Sequence, residues 1–350
     1  MPDPAEPPAP DGGAPVVHRL TVQRVVEESA EARSLVFALP EDGVLPYRPG
    51  QFLTVRVPCE PDPVARCYSL SSSPHLGDGP RVTVKRVPGG RGSNWLCEHV
   101  VPGSVLEVLA PDGGFTPRSL DEDLLLLAAG SGITPIMSIA RSVLAAGSGR
   151  LVLVYANRDE SSVIFARELR ELADRHPERL SVVHWLESVQ GLPDTAALRG
   201  LTEPFTGREA FVCGPGPFMD AAVRALERLG LPRSRLHVER FVSLEGDPFT
   251  APEPVPEAVG RAIAEVELDG EKHRLDWPRR QRLLDLLLER GLDAPYSCRQ
   301  GACSACACRI RAGEVAMLRN DVLEQEDLDE GIVLACQSLP VTDEIRISYE

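Results

Sequence analysis

The stretch Tyr296–Ile310 reads YSCRQGACSACACRI and sets Cys298, Cys303 and Cys306 at C-x4-C-x2-C spacing. A fourth thiol, Cys336, follows in the segment LACQS. Three thiolates on one tight loop with a distant fourth is the plant-type pattern for ligating a [2Fe–2S] cluster. The loop backbone must lie close to the cluster, which calls for small residues, and Gly301, Ala302, Ser304 and Ala305 are small.

Three other readings use the same cysteines. A disulfide framework needs an exported chain, and here the thiols cluster rather than spread. A zinc-binding interaction module needs paired C-x2-C or Cys/His units, and only one such pair is present. Cys308 raises the local count to five thiols, so a redox dithiol is a further option. The cluster reading is the most specific, with Cys308 as a structural thiol facing away from it.

The cysteine loop sits in an α+β segment spanning 259–350. RAIAEVELDGEKHRLDW reads as a hairpin turned at Asp269-Gly270. QRLLDLLLERG reads as an amphipathic helix stopped by Gly291. VLEQEDLDEG predicts a short helix and EIRISY a last strand. Before it, 246–258 is rich in Pro and acidic residues and reads as a linker. From 119 to 245 apolar runs such as DLLLLAA and LVLVYA alternate with helical patterns. That rhythm predicts an α/β domain whose parallel sheet is covered on both faces. From 16 to 118 six short strands, frequent turns and one helical piece beginning at Ser93 predict a small antiparallel β-barrel. Residues 1–15 read as a disordered tail.

The chain has 350 residues, enough for two or three domains, and is 43 % hydrophobic. Its net charge of −15 argues against binding nucleic acid or anionic membranes. There is no apolar run of transmembrane length and no export signal, so a reducing cytoplasm is expected for the nine cysteines.

Inside these domains several short motifs have a chemical reading. Arg66 and Tyr68 share one face of a strand, where a cation and a ring suit a planar, phosphorylated heterocycle. Lys85 and the GGRGSNW turn lead into a helix N-terminus, a candidate pyrophosphate cradle. GSGITP (130–135) and CGPGPFM (213–219) end strands with turns open to a ligand. Each alone reads equally well as a connecting turn.

Their order resembles the ferredoxin–NADP reductase superfamily. With the cysteine loop behind them, they resemble the single-chain reductases that feed oxygenases. DESSVIF, HWLESVQGLP, CGPGPFM, NDVLEQEDLDEG and LACQS together resemble the reductases of 3-ketosteroid 9α-hydroxylase systems. The resemblance implies an FAD-binding barrel, an NAD(P)H-binding α/β domain and a β-grasp ferredoxin domain. It assigns Arg66, Tyr68 and Ser69 to the flavin, with Lys85, Gly92, Ser93 and Asn94 on its phosphate and adenosine side. It assigns Gly130, Gly132, Thr134 and Pro135 to the pyridine nucleotide, and Asn157 and Arg158 to its adenosine ribose. Cys213, Gly214 and Pro215 fall where nicotinamide meets flavin, and Glu239 and Phe241 beside the flavin ring. Ser69, Cys213, Glu239 and Phe241 would thus flank the reacting rings.

The same resemblance implies a route from NADH through FAD and the cluster to a separate terminal oxygenase of Rieske type. Another oxygenase, such as an acyl-CoA epoxidase, is an alternative acceptor. NADH is expected over NADPH because Asp159 and Glu160 follow Arg158 and oppose a 2′-phosphate. Glu324, Glu326, Asp327, Asp329 and Glu330 form an acidic patch for a basic partner surface. Ser304 stands where the family has Gly, so a positive φ there would carry strain of about 1 kcal/mol.

Overall fold

Alternating inward side chains build the first sheet. The strands are β1 (Val17–Ser29), β2 (Ala32–Phe37), β3 (Phe52–Val57), β4 (Val64–Ser69), β5 (Arg81–Lys85) and β6 (Val105–Leu109). They pair in the order β4-β3-β6-β1-β2-β5, and a bridge between Leu70 and Val82 joins the two ends into a barrel. Leu20, Val22, Phe37, Leu53, Val55, Leu106 and Val108 fill its interior. Helix α1 (Arg91–His99) begins two residues before the expected Ser93. The Ser93 hydroxyl instead receives the Val87 N–H at 3.2 Å, closing the Gly89-Gly90 turn in front of the helix.

The next domain follows from strands apolar on both faces. β7 (Leu124–Ala129) and β8 (Leu151–Asn157) are buried at every residue. With β9 (Leu180–Leu186), β10 (Glu209–Cys213) and β11 (Leu236–Glu239) they form a parallel sheet of order β11-β10-β7-β8-β9. Helices α2 (Ile133–Ala146) and α3 (Ala166–Arg175) cover one face. After the single turn α4 (Glu187–Gln190), α5 (Thr195–Thr202) and α6 (Gly216–Arg228) cover the other. The chain winds outward from β7 to β9, then returns to the other side of β7. The strand order therefore reverses between β7 and β10, where such sheets open a crevice at their carboxyl ends.

The third sheet has strands β12 (Arg261–Leu268), β13 (Glu271–Pro278), β14 (Ala307–Ala312), β16 (Ile332–Leu334) and β18 (Glu344–Ser348), ordered β13-β12-β18-β14-β16. A small pair, β15 (Val315–Met317) with β17 (Ser338–Pro340), and the short helix α8 (Gln325–Asp329) complete it. Helix α7 (Leu283–Glu289) buries Leu283, Leu284, Leu286 and Leu287 beside Trp277. It starts after the expected Gln281, because the Gln281 carbonyl is taken by the Trp277 indole N–H at 2.7 Å and its N–H turns back to Pro278. Gly291 at φ +72° ends it as anticipated.

This computed structural model describes residues 17–39, 45–244, 247–249, 260–268, 270–292, 294–296 and 298–349. They fall into two compact units, His18–Ser243 and the part from Leu244 onward. The N-terminal tail, the turn residue Asp269 and most of the linker at 246–258 lie outside the described residues.

Candidate functional site

On the barrel, β4 pairs with β3 so that Arg66 faces Val55 and Tyr68 faces Leu53 in register. Arg66 and Tyr68 are half-buried on one side of β4, and burial raises the Tyr68 phenol, keeping it protonated. Helix α1 meets the same side: a Cβ added to Gly92 would stand 3.1 Å from Cγ of Arg66 and 3.2 Å from a Val64 methyl. A side chain there would fit only if those neighbours gave way by a few tenths of an ångström. Gly92 therefore lets the helix N-terminus lie close along the Arg66 side chain, and helix amides with a guanidinium nearby are a donor set suited to phosphate. Asn94 is half-buried and donates to the Val87 carbonyl at 3.2 Å. Ser69 is buried at the end of β4, and Phe241 lies half-exposed past the end of β11, 49 % accessible.

The two glycine turns of the sheet interlock. A Cβ on Gly132 would fall 2.2 Å from the Cys213 carbonyl oxygen and 2.6 Å from the Gly214 amide. A Cβ on Gly214 would meet Ala129 and the Phe218 ring at 3.0 Å. Gly130 adopts φ +52°, its carbonyl accepts the Tyr155 hydroxyl at 3.0 Å, and the Thr134 hydroxyl ties back to the Ser131 carbonyl at 3.1 Å. Pro135 is buried in the first turn of α2, where its missing N–H costs nothing.

Cys213 is the register partner of Glu239 across β10 and β11, so these two are brought together. Burial pushes the Glu239 carboxyl up to about 8, and burial together with the nearby Glu239 raises the Cys213 thiol. Both are thus neutral near pH 7.

Asn157 ends β8. It is 8 % exposed, and its carboxamide lies beside the Tyr155 hydroxyl without a well-formed hydrogen bond to it or to any other described residue. An unpaired buried amide costs about 1–3 kcal/mol, so this one suits a polar ligand at the crevice.

Arg158, next along the chain, is exposed and bonds Glu31 Oε1 at 2.9 Å. The other Glu31 oxygen lies 3.8 Å from Lys85 Nζ. Lys85, assigned by resemblance to the flavin phosphates, has its ammonium 3.7 Å from the position of a Gly130 Cβ, beside the nucleotide turn. Asp159 accepts from the Ser162 N–H and the Ser161 hydroxyl, so it caps the following turn.

In the ferredoxin unit the sulfurs form two pairs. The Cys298 N–H points at Cys303 Sγ, and the Cys336 N–H at Cys306 Sγ, each at 3.4 Å. All four cysteines are buried, none more than 9 % exposed. Amides of Gln300 and Ala302 converge on Cys298 Sγ at 3.4 Å. A hydrogen bond from Cys303, with those amides, draws the Cys298 thiol below its usual range. Among the described residues no three Cys, His, Asp or Glu side chains are placed to hold one ion. Two sulfur pairs suit a two-iron cluster better than one zinc ion. Cys308 is a buried thiol pushed up to about 12 by its apolar surroundings, which suits a structural role.

The strain expected at Ser304 is present, with φ +53°. Arg299, not singled out from the sequence, shares it at φ +55°. Its buried guanidinium bonds Asp285 at 3.0 Å and lies 5.1 Å from the centre of the Tyr296 ring. The Gln337 amide donates to the Arg299 carbonyl at 2.9 Å, fastening the Cys336 segment to the loop.

Sequence reasoning also missed the seam between barrel and sheet. On α2, the Ser138 hydroxyl donates to the Ser72 carbonyl at 2.6 Å and that of Ser142 bonds the Ser73 hydroxyl at 2.8 Å. Arg141 bonds Asp78 and Glu168, and Glu168 also takes Arg81 at 2.8 Å. The run Ser71-Ser72-Ser73 and the i,i+4 spacing of Ser138 and Ser142 are the sequence signal for it.

Three domain families match in the same order: an oxidoreductase FAD-binding domain over 19–116, an oxidoreductase NAD-binding domain over 126–224 and a 2Fe-2S iron-sulfur cluster binding domain over 266–341. Together with the geometry they define an oxidoreductase that uses FAD, NAD and a [2Fe–2S] cluster in one chain. The 3-ketosteroid-9-alpha-monooxygenase ferredoxin reductase component of Rhodococcus rhodochrous is 55 % identical, covering 97 % of this chain and 98 % of that one. A 1,2-phenylacetyl-CoA epoxidase protein of Escherichia coli is 34 % identical over 95 % of this chain and 98 % of its own length. The fold is that of phthalate dioxygenase reductase, with TM-score 0.59 and 24 % identity, covering 95 % of this chain and 98 % of that chain. The chain belongs to the family of ferredoxin reductase components represented by the Rhodococcus protein. None of the described helices is long and apolar enough to cross a membrane.

Proposed function

We propose that this chain draws electrons from NADH and delivers them to a separate, Rieske-type oxygenase that acts on a 3-ketosteroid. The observation that carries the reading is full-length similarity at 55 % to the Rhodococcus reductase component, against 34 % to the epoxidase protein. The domain division we adopt is 16–118, 119–245 and 259–350, with 246–258 as linker.

When bound, the nicotinamide would supply a hydride, the flavin would accept it and part with its two electrons singly, and the cluster would provide the one-electron exit. The residues do the rest. Arg66 and the α1 amides around Gly92, Ser93 and Asn94 fix the flavin phosphates, and Tyr68 and Ser69 lie against its ring. Gly130, Gly132, Thr134 and Pro135 shape the nucleotide turn, and Asn157 offers its amide to the ribose. Cys213, Gly214 and Pro215 steer nicotinamide to the flavin, and Phe241 shields the ring. Glu239, held toward its protonated form by burial, keeps a negative charge away from the Cys213 thiol. Cys298, Cys303, Cys306 and Cys336 hold the cluster.

Replacing Cys303 with Ser is expected to leave flavin reduction by NADH intact and abolish cytochrome c reduction. Unaltered cytochrome c reduction would sink the order of centres. Coupling the chain to a 3-ketosteroid oxygenase and to a phenylacetyl-CoA epoxidase decides the partner; faster turnover with the epoxidase refutes our assignment. The acidic group on α8 faces that partner. Glu324 and Asp327 also cap α8, Asp329 accepts from the Gln325 amide at 2.9 Å and Glu330 bonds Arg309 at 3.2 Å, so the patch would steer as a group of carboxylates held in place on this short helix.

A further inference from the structure

We propose that Glu31, a residue of the flavin barrel, sets the choice between NADH and NADPH by neutralising Arg158 and Lys85 at the nucleotide crevice. The inference rests on the reading that the nucleotide binds across the carboxyl ends of β7 and β8.

The barrel presents Glu31 at a fixed point. It stands in the tight turn between β1 and β2, one residue before Ala32, and Ala32 is the register partner of Lys85. The Arg86 N–H donates to the Glu31 carbonyl at 2.7 Å, pinning the turn from the other side. One carboxylate oxygen then reaches Arg158 at 2.9 Å and the other approaches Lys85 at 3.8 Å. Lys85 stands beside Gly130, and Arg158 directly follows Asn157, so both cations border the residues assigned to the nucleotide.

The pair is solvent-exposed, 58 % for Arg158 and 41 % for Glu31, so it contributes little to stability. Its effect is on charge. Asp159 and Glu187 also act on Arg158, so three carboxylates face the guanidinium. A ribose hydroxyl needs no free cation. A 2′-phosphate brings a charge of about −2, meets those carboxylates and finds Arg158 already bonded. One carboxylate a few ångströms from such a dianion, in a water-like dielectric, is worth roughly an order of magnitude in affinity.

The test is kcat/KM for flavin reduction by NADH and by NADPH, measured on the full chain. Glu31→Gln should move the ratio toward NADPH by about tenfold, through the KM for NADPH, with a gain that shrinks as salt rises. Glu27→Gln, which removes an exposed carboxylate of the same barrel paired to Arg33, should leave the ratio in place. Adding Arg158→Ala to Glu31→Gln should erase most of the gain. A Glu31→Gln ratio within about twofold of the parent while NADH still reduces the flavin overturns the inference alone. So does an equal shift from Glu27→Gln. A parent chain whose flavin neither nucleotide reduces overturns the underlying reading as well.

Discussion

The turn we assign to the nucleotide and the cysteine loop we assign to the cluster are built by different means. At Gly130–Pro135 the positive φ belongs to a glycine, Gly130 at +52°, and the neighbouring Gly132 lies against the Cys213 carbonyl with no room for a side chain. Among the described residues of the cluster loop, two of the three with positive φ, Arg299 at +55° and Ser304 at +53°, are not glycine; the third is Gly301. A nucleotide must enter and leave at every turnover, so its turn must hold its shape unaided and is built without strain. A cluster stays, and metal–thiolate bonds formed on folding offset the strain of the loop around it.

The hardest test of this contrast is Gly132→Ala. Its Cβ would overlap backbone that cannot yield, so we expect a loss of about 3 kcal/mol in stability, read by urea unfolding, and loss of flavin reduction by NADH. Normal stability would show that the two turns do not interlock. Asn157→Ala should raise the KM for NADH about tenfold with little loss of stability, because the free fold gives that amide no more than a poorly formed contact with Tyr155. A drop in unfolding free energy without a KM change would make Asn157 structural instead.

Two exchanges then mirror each other. Ser304→Gly should stabilise the cluster-loaded protein by about 1 kcal/mol, and Gly130→Ala should cost about the same. Unfolding curves that move in the same direction for both would break the comparison. A last comparison is read against pH. Glu239 is raised in the folded state to about 8, from 4.5 in a free side chain. Its protonated form is therefore favoured on folding: the contribution is full below pH 4.5 and lost as pH rises through about 8. Glu239→Gln should flatten stability against pH across that window, and an unchanged profile would show that Glu239 titrates normally.

Much of this was legible in the chain because the signals are local. Cysteine spacing, the buried runs of β7 and β8, and the Gly-Ser-Gly and Cys-Gly-Pro turns each lie within a few residues. Even the strain at Ser304 was legible, from one serine in a glycine's place. What escaped depends on residues far apart in sequence. Glu31 and Arg158 are separated by 127 positions, and Ser73 and Ser142 by 69, so no window along the chain shows their contact. Helix starts moved for a local reason instead: the Gln281 carbonyl takes the indole N–H of nearby Trp277, and the Ser93 hydroxyl closes the turn before its helix.

The serines of α2 bear on how these domains can be recombined. Ser138 and Ser142 are completely buried, and their partners Ser72 and Ser73 belong to the barrel. A chimera that joins this nucleotide domain to a foreign barrel inherits half of each pair. The Ser138 hydroxyl left without the Ser72 carbonyl costs about 1–3 kcal/mol, while Ser142 keeps only the Ser138 carbonyl and Arg141 only Glu168. Barrel and nucleotide domain are therefore separate families in sequence but a single inheritance unit in physics, and workable exchanges must carry residues 71–78 and 138–142 together.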